Sequence, residues 1–146
     1  MSESMIECFK PKTMIECFEN MLYSQPKVDN CNMSHREIVI LVDRGQTVDF
    51  IRNQLGKLCQ KLETKLRLEY SFNNTSKIFV IFRHYKEKFW MIRVYVRILD
   101  KNQLDGLRPD VIVVYGIFLA DQMQQAFEFI QRHSYRQDLE VVFFNR

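Results

Sequence analysis

A chain of 146 residues can bury a substantial core as a single domain, and 47% apolar with 27% charged residues excludes a disordered or fibrous protein. Its net charge of +3 admits a nucleic-acid partner without demanding one. No apolar run reaches membrane-span length, the N-terminal residues lack a signal-peptide core, and the four cysteines show neither CxxC spacing nor a nearby histidine pair. The expectation is an intracellular protein with reduced thiols, no membrane contact and no metal.

Residues 1–35 read as a helical segment and a connection, and residues 36–146 as an α/β core. In the first part Met5-Ile6-Glu7-Cys8-Phe9 recurs as Met14-Ile15-Glu16-Cys17-Phe18. A single short duplication does not signal a solenoid. The second copy predicts a helix from about Thr13, with Ile15, Phe18 and Leu22 on one face. Pro11 stops one helix from running through both copies. Residues 25–35 are rich in turn formers and predict a connection. The unbroken apolar run within Glu37–Val42 predicts a buried strand, ending at Asp43-Arg44-Gly45 with Gly45 as the hinge into a helix. From Thr47 to about Glu63 the spacing of Val48, Ile51, Leu55, Leu58, Cys59 and Leu62 predicts a helix with one packed face, and Asp49 in its first turn would suit the helix dipole.

Leu66, Leu68, Tyr70 and Phe72 alternate with polar residues as a half-buried strand does. Asn73-Asn74-Thr75-Ser76 is a turn signal, Ile78–Phe82 a strand, and His84–Lys88 a charged loop. Phe89–Leu99 alternates again, with Trp90, Ile92, Val94, Val96 and Ile98 on one face and Met91, Arg93, Tyr95 and Arg97 on the other. This middle portion predicts an antiparallel hairpin or three-stranded insert. A charged approach through Asp105, Gly106, Arg108, Pro109 and Asp110 then enters Val111–Tyr115, which reads as a strand buried on both faces. A helix over Ile117–Arg132 follows, with Leu119, Met123, Ala126, Phe127 and Ile130 as its stripe, and Leu139–Phe144 is a last buried strand. The order predicts a three-layer α/β fold, a mostly parallel sheet with an antiparallel hairpin insert.

Strand, helix, antiparallel pair, then Leu104 to Gly116 (LDGLRPDVIVVYG), helix and strand: this order resembles the ATPase core of viral large terminases and related helicase-type P-loop proteins. The likeness spans about Lys12 to Phe144, and its specific part is residues 104–116. The resemblance implies a strand ending in adjacent acids, one to place Mg²⁺ and one to orient the attacking water. Here those positions fall on Tyr115 and Gly116, which have no carboxylate. Asp110 does not replace them, because it lies roughly 15 Å away at the strand's other end. Lys12-Thr13 before a helix echoes the Lys-Thr that closes the phosphate loop. Yet no glycine precedes Gly45, and Pro11 stands where a glycine should, removing an N–H the phosphates would need. Lys12 and Thr13 are then a degenerate remnant of a nucleotide site, with no cofactor held. The resemblance implies a non-catalytic viral relative, linked to DNA packaging, that acts by binding a protein partner or nucleic acid.

Two other groupings compete for function. Asp43, Arg44 and Gly45 lie at a strand's carboxyl end, where ligands gather in open α/β sheets. They read either as an anion pocket or metal-dependent nuclease centre, or as a charged turn whose aspartate caps the following helix. A nuclease needs several converging acids, and no motif places a second one. The hairpin offers Lys77, Arg83, Lys86, Lys88, Arg93 and Arg97, with Tyr85, Trp90 and Tyr95 among them and a single acid, Glu87. Basic residues interleaved with aromatics suit phosphate contact and base stacking; the alternative is a solvated face with a charge-protected edge. His35, His84 and His133 are too scattered in sequence for a metal site.

Overall fold

The computed structural model describes residues 13–23, 33–75, 77–85, 88–99, 104, 106–135 and 138–144. The first MIECF copy, Lys12, Lys86 and the side chains of Tyr85 and Lys88 lie outside them.

The elements are helix α1 (Met14–Tyr23), strand β1 (Met33–Val42), helix α2 (Gly45–Leu66), strands β2 (Leu68–Asn73), β3 (Ile78–Tyr85), β4 (Lys88–Ile98) and β5 (Val111–Tyr115), helix α3 (Ala120–His133) and strand β6 (Glu140–Phe144). The strands form one six-stranded sheet ordered β2-β3-β4-β1-β5-β6. β1 pairs in parallel with both β4 and β5, and β5 pairs in parallel with β6. β3 alone runs the other way, antiparallel to β2 and β4. The antiparallel ribbon is thus a continuation of the sheet, joined to it through β4.

β1 holds the centre because its sequence suits no other place. Ile38, Val39, Ile40, Leu41 and Val42 are all buried, and successive residues point to opposite faces. Ile38, Ile40 and Val42 join Val111 and Val113 of β5 and Trp90, Ile92, Val94 and Val96 of β4 in a core closed by α1 and α2. Val39 and Leu41 join Ile112 and Val114 in a second core closed by Ala126 and Phe129 of α3. A strand apolar on both faces therefore sits between two helical layers, the three-layer arrangement its continuous run implies.

α2 buries every residue of its expected stripe, but it starts at Gly45, so the exposed Asp49 lies beyond its first turn. α1 buries Met14 along with Phe18 and Leu22, while Ile15 is only partly covered. β1 begins at Met33, inside the segment expected to be a connection. Two expectations need correction at the far end. α3 starts at Ala120, and Leu119, 70% exposed, stands before it in extended conformation. Its packed face is set by Ala126 and Phe129, whereas Phe127 is 54% exposed and meets Phe143 of β6 at 6.1 Å between ring centroids. β6 has no fully buried side chain, and among the described residues its one strand neighbour is β5.

Candidate functional site at the carboxyl edge of β1 and β5

β1 leads into α2 on one face of the sheet, and β5 leads through residues 116–119 into α3 on the other. Adjacent parallel strands whose connections leave to opposite sides open a crevice at their carboxyl ends, the usual place for a ligand in this architecture. The register pairs Val42 with Tyr115, so Asp43 and Gly116 face each other across that crevice.

Asp43 fills the crevice with bonds to its own chain. Its Oδ1 accepts the Thr47 hydroxyl at 2.5 Å and its Oδ2 accepts the Ile117 backbone N–H at 3.2 Å. Its carbonyl oxygen accepts Gln122 Nε2–H at 3.1 Å, and Gln122 Oε1 accepts the Leu119 N–H at 3.0 Å. One aspartate thus ties the end of β1 to the start of α2 and to the β5–α3 connection. Gly116 tolerates the resulting closeness only because it lacks a side chain. It has φ +137°, and a Cβ there would lie 2.7 Å from Asp43 Cγ, well inside contact distance. Tyr115 beside it is half-buried and stacks on Phe50 of α2, with ring centroids 6.3 Å apart and planes 8° from parallel. Arg44 and Gly45 are exposed, and Arg44 makes no side-chain cap bond to α2.

Asp110 ties the opposite ends of the same strands. Its Oδ2 accepts the Glu37 N–H at 2.8 Å, its own N–H donates to Glu37 O at 2.8 Å, and its carbonyl accepts the Glu140 N–H at 3.1 Å. Thr13, expected as part of a nucleotide remnant, caps α1: its hydroxyl accepts the Glu16 N–H at 3.0 Å. Among the described residues no three His, Cys, Asp or Glu side chains gather as a metal set, and no helix is long and apolar enough to cross a membrane.

The structure divides the basic residues expected on the ribbon. Arg83 is not at the surface: it is 6% exposed, donates from Nη1 to the Leu22 carbonyl of α1, and lies 4.7 Å from the Trp90 ring centroid. It is a core residue that ends α1. Arg93 and Arg97 lie on the other face of β4, in line with Tyr95; on β3, Val80 is opposite Arg93 and Ile78 opposite Tyr95. α3, the described helix on that side, shares a core with no β2 or β3 side chain, so most of this ribbon face lies outside its cover. Arg93 Nη1 is 4.0 Å from Glu37 Oε1. Arg97 donates to the carbonyls of Val96 at 3.1 Å and Lys77 at 3.4 Å, and burial pulls its pKa below the ordinary value. Lys77 follows the turn in a left-handed conformation, φ 58°.

Reading the sequence missed the partners of Asp43 and the burial of Arg83. Thr47, one helical turn after Asp43, was a visible cue to the first. For the second, Arg83 is in phase with Phe79 and Ile81, the buried face of β3.

No protein-family description matches the sequence, and no curated protein is similar to it. Solved structures do resemble the fold. The large terminase from a thermophilic bacteriophage superposes with a TM-score of 0.61 at 9% identity, over 94% of this chain and 31% of that one. The same terminase in complex with ADP gives 0.59 at 11% identity, over 92% and 30%. The ATPase domain of the Thermus phage P74-26 large terminase gives 0.56 at 9% identity, over 90% and 53%. At such identities the likeness is one of fold, a mixed α/β sheet like that of terminase ATPase domains. The chain spans about a third of the length of the first of these terminases.

Proposed function

We propose that this chain is a non-catalytic module with a terminase-ATPase fold, linked to viral DNA packaging, that binds nucleic acid electrostatically through the open face of the β2–β4 ribbon. Gly116 carries the first half of this reading. The resemblance asks for a carboxylate there, and the backbone at φ +137° with Asp43 against it leaves no room for any side chain. Asp43 does not supply the missing acid, because both its carboxylate oxygens are engaged within the chain. The same bonds favour a structural role for Asp43, tying β1 to α2 and to the β5–α3 connection, over a nuclease centre.

The binding half is supported by Arg93 and Arg97 flanking Tyr95, which packs at the rim of the α3 core, next to the β2–β3 part of the face, which shares no core with α3. Guanidinium groups beside aromatics on a sheet face suit a phosphate backbone with stacked bases, with little reading of sequence.

Fluorescence anisotropy with labelled single- and double-stranded DNA and RNA, over a salt series, tests it. Affinity is expected to fall with salt, and Arg93→Ala and Arg97→Ala should each flatten the log–log slope by about 1. No binding at low salt, or slopes unchanged in both variants, overturns the nucleic-acid reading. Calorimetry with Mg·ATP should give no binding heat, and an affinity on the order of micromolar would overturn the non-catalytic one.

A further inference from the structure

On the face of the sheet that α1 and α2 close, the cover thins toward β6. Val113 of β5 pairs with Val142 of β6, and Tyr115 with Phe144, yet Val142 and Phe144 are only partly buried. Between them and α1 lies a cleft of about 230 Å³, lined also by Cys17. A space of about 150 Å³ accepts a benzene ring, so this one has room for an aromatic side chain and a neighbour. Its two charged lining residues, Arg36 and Glu140, bond to each other at 3.4 Å, so the cleft asks for no ionic ligand. Arg36 Nε, however, is buried and has no acceptor among the described residues.

The residues that flank 24–32 lie toward β3 and β4, away from the cleft: the Leu22 carbonyl accepts from Arg83 of β3, and Met33 pairs with Phe89 of β4. Leu99 and Leu104, on either side of 100–103, and Leu139, just after 136–137, belong to the core on the opposite face, with α3. Residues 145 and 146 follow Phe144 but are Asn and Arg. Residues 1–12 lead directly to Met14, itself a lining residue of the cleft.

Those residues also carry the right side chains. Met5-Ile6-Glu7-Cys8-Phe9 repeats the sequence with which α1 packs, where Met14 and Phe18 are 3% and 4% exposed. Ser4, three before Glu7, repeats Thr13, whose hydroxyl accepts the Glu16 N–H and starts α1. We propose that residues 4–9 form a short helical turn seated in this cleft beside α1, with Met5 and Phe9 against Val142 and Phe144. Pro11 parts this turn from α1. The link from Phe9 to Met14 reaches up to about 17 Å, at about 3.4 Å per residue, enough to turn back alongside a helix about 10 Å across. The last carbonyls of such a turn have no partner within it. Arg36 Nε offers them one, as Arg83 does for Leu22. The duplication then supplies a second piece of the same packing chemistry where the sheet's cover is thin.

NOE spectroscopy of the full chain is expected to show contacts from the Met5 methyl and the Phe9 ring to the Val142 methyls and the Phe144 ring. A mixture of labelled and unlabelled chains should place those contacts within one chain. Met5→Asp and Phe9→Asp should each raise the unfolding equilibrium constant, measured in urea, by about tenfold or more, the scale of taking one large apolar side chain out of a packed site. Alkylation of Cys17 under native conditions, read by peptide mass spectrometry, should accelerate in both by about the same factor. Glu7→Gln, at the position whose repeat Glu16 is exposed, should change neither quantity. Absence of the contacts in the native chain overturns the proposal. So do contacts found only between chains, or Asp variants that match the native chain in stability and in Cys17 alkylation.

Discussion

Asp43 and Gly116 form a coupled pair, and each explains the other. The carboxylate is held by a hydroxyl four residues on and by an amide 74 residues away, and the glycine is the residue over which it can reach. Gly116→Ala is expected to destabilise the protein by about 2–4 kcal/mol, part from the left-handed backbone and part from the clash with Asp43. In an Asp43→Ala background the clash disappears and only the backbone term remains. Urea denaturation of the double-mutant cycle should therefore show a coupling of about 1 kcal/mol or more. Strictly additive costs would sink the account. The local half of this arrangement was legible only in part: the sequence suggests Asp43 as a helix cap, whereas the residue before α2 is Arg44 and Asp43 holds the Thr47 side-chain hydroxyl. Gln122 was not, because its bond to the Asp43 carbonyl spans 79 residues and depends on how β5 registers against β1.

At the scale of elements, α1 and β3 depend on one buried cation. Arg83 satisfies the Leu22 carbonyl, one of the terminal acceptors that a helix leaves without an internal partner, and stacks on Trp90. Arg83→Ala removes the donor and opens a cavity beside Trp90, and should cost about 2–4 kcal/mol. Hydrogen exchange should accelerate first in α1, while the folded variant should match the native chain in the anisotropy titration proposed above. Loss of affinity without loss of stability would return Arg83 to the binding face. The helices with long, dense stripes were legible: α2 buried all six expected apolar residues. α3 was misread because Phe127 and Leu119 extended its apolar pattern without belonging to its packed face, and hydrophobic spacing alone does not say which of two adjacent stripes meets the sheet.

For the whole molecule, stability should decline on the alkaline side through Cys59. Burial first, and Glu63 second, push its thiol from 9.0 up to about 12. The folded pKa is raised, so the contribution is complete below 9.0 and is lost as pH climbs toward about 12, because the unfolded chain ionises first. Chemical denaturation across that window should show a smaller decline in Cys59→Val than in the native chain; equal declines would remove Cys59 as the cause. The α/β class was readable from the alternation of strand and helix patterns and the continuous runs of β1 and β5. The strand order was not, since parallel neighbours are chosen by packing among elements far apart in the chain.

β1 is made before either of its neighbours. During synthesis its apolar run, Ile38 to Val42, emerges while β4 is still to come and β5 later still. β2, β3 and β4 can close on one another as successive antiparallel pairs, but both ladders of β1 wait for long-range closure. At about 5–20 residues per second the future centre of the sheet spends several seconds as an unpaired apolar strand. The strand most protected in the finished molecule is the one most open to wrong partners while it is being built, and it sets the contest between folding and aggregation.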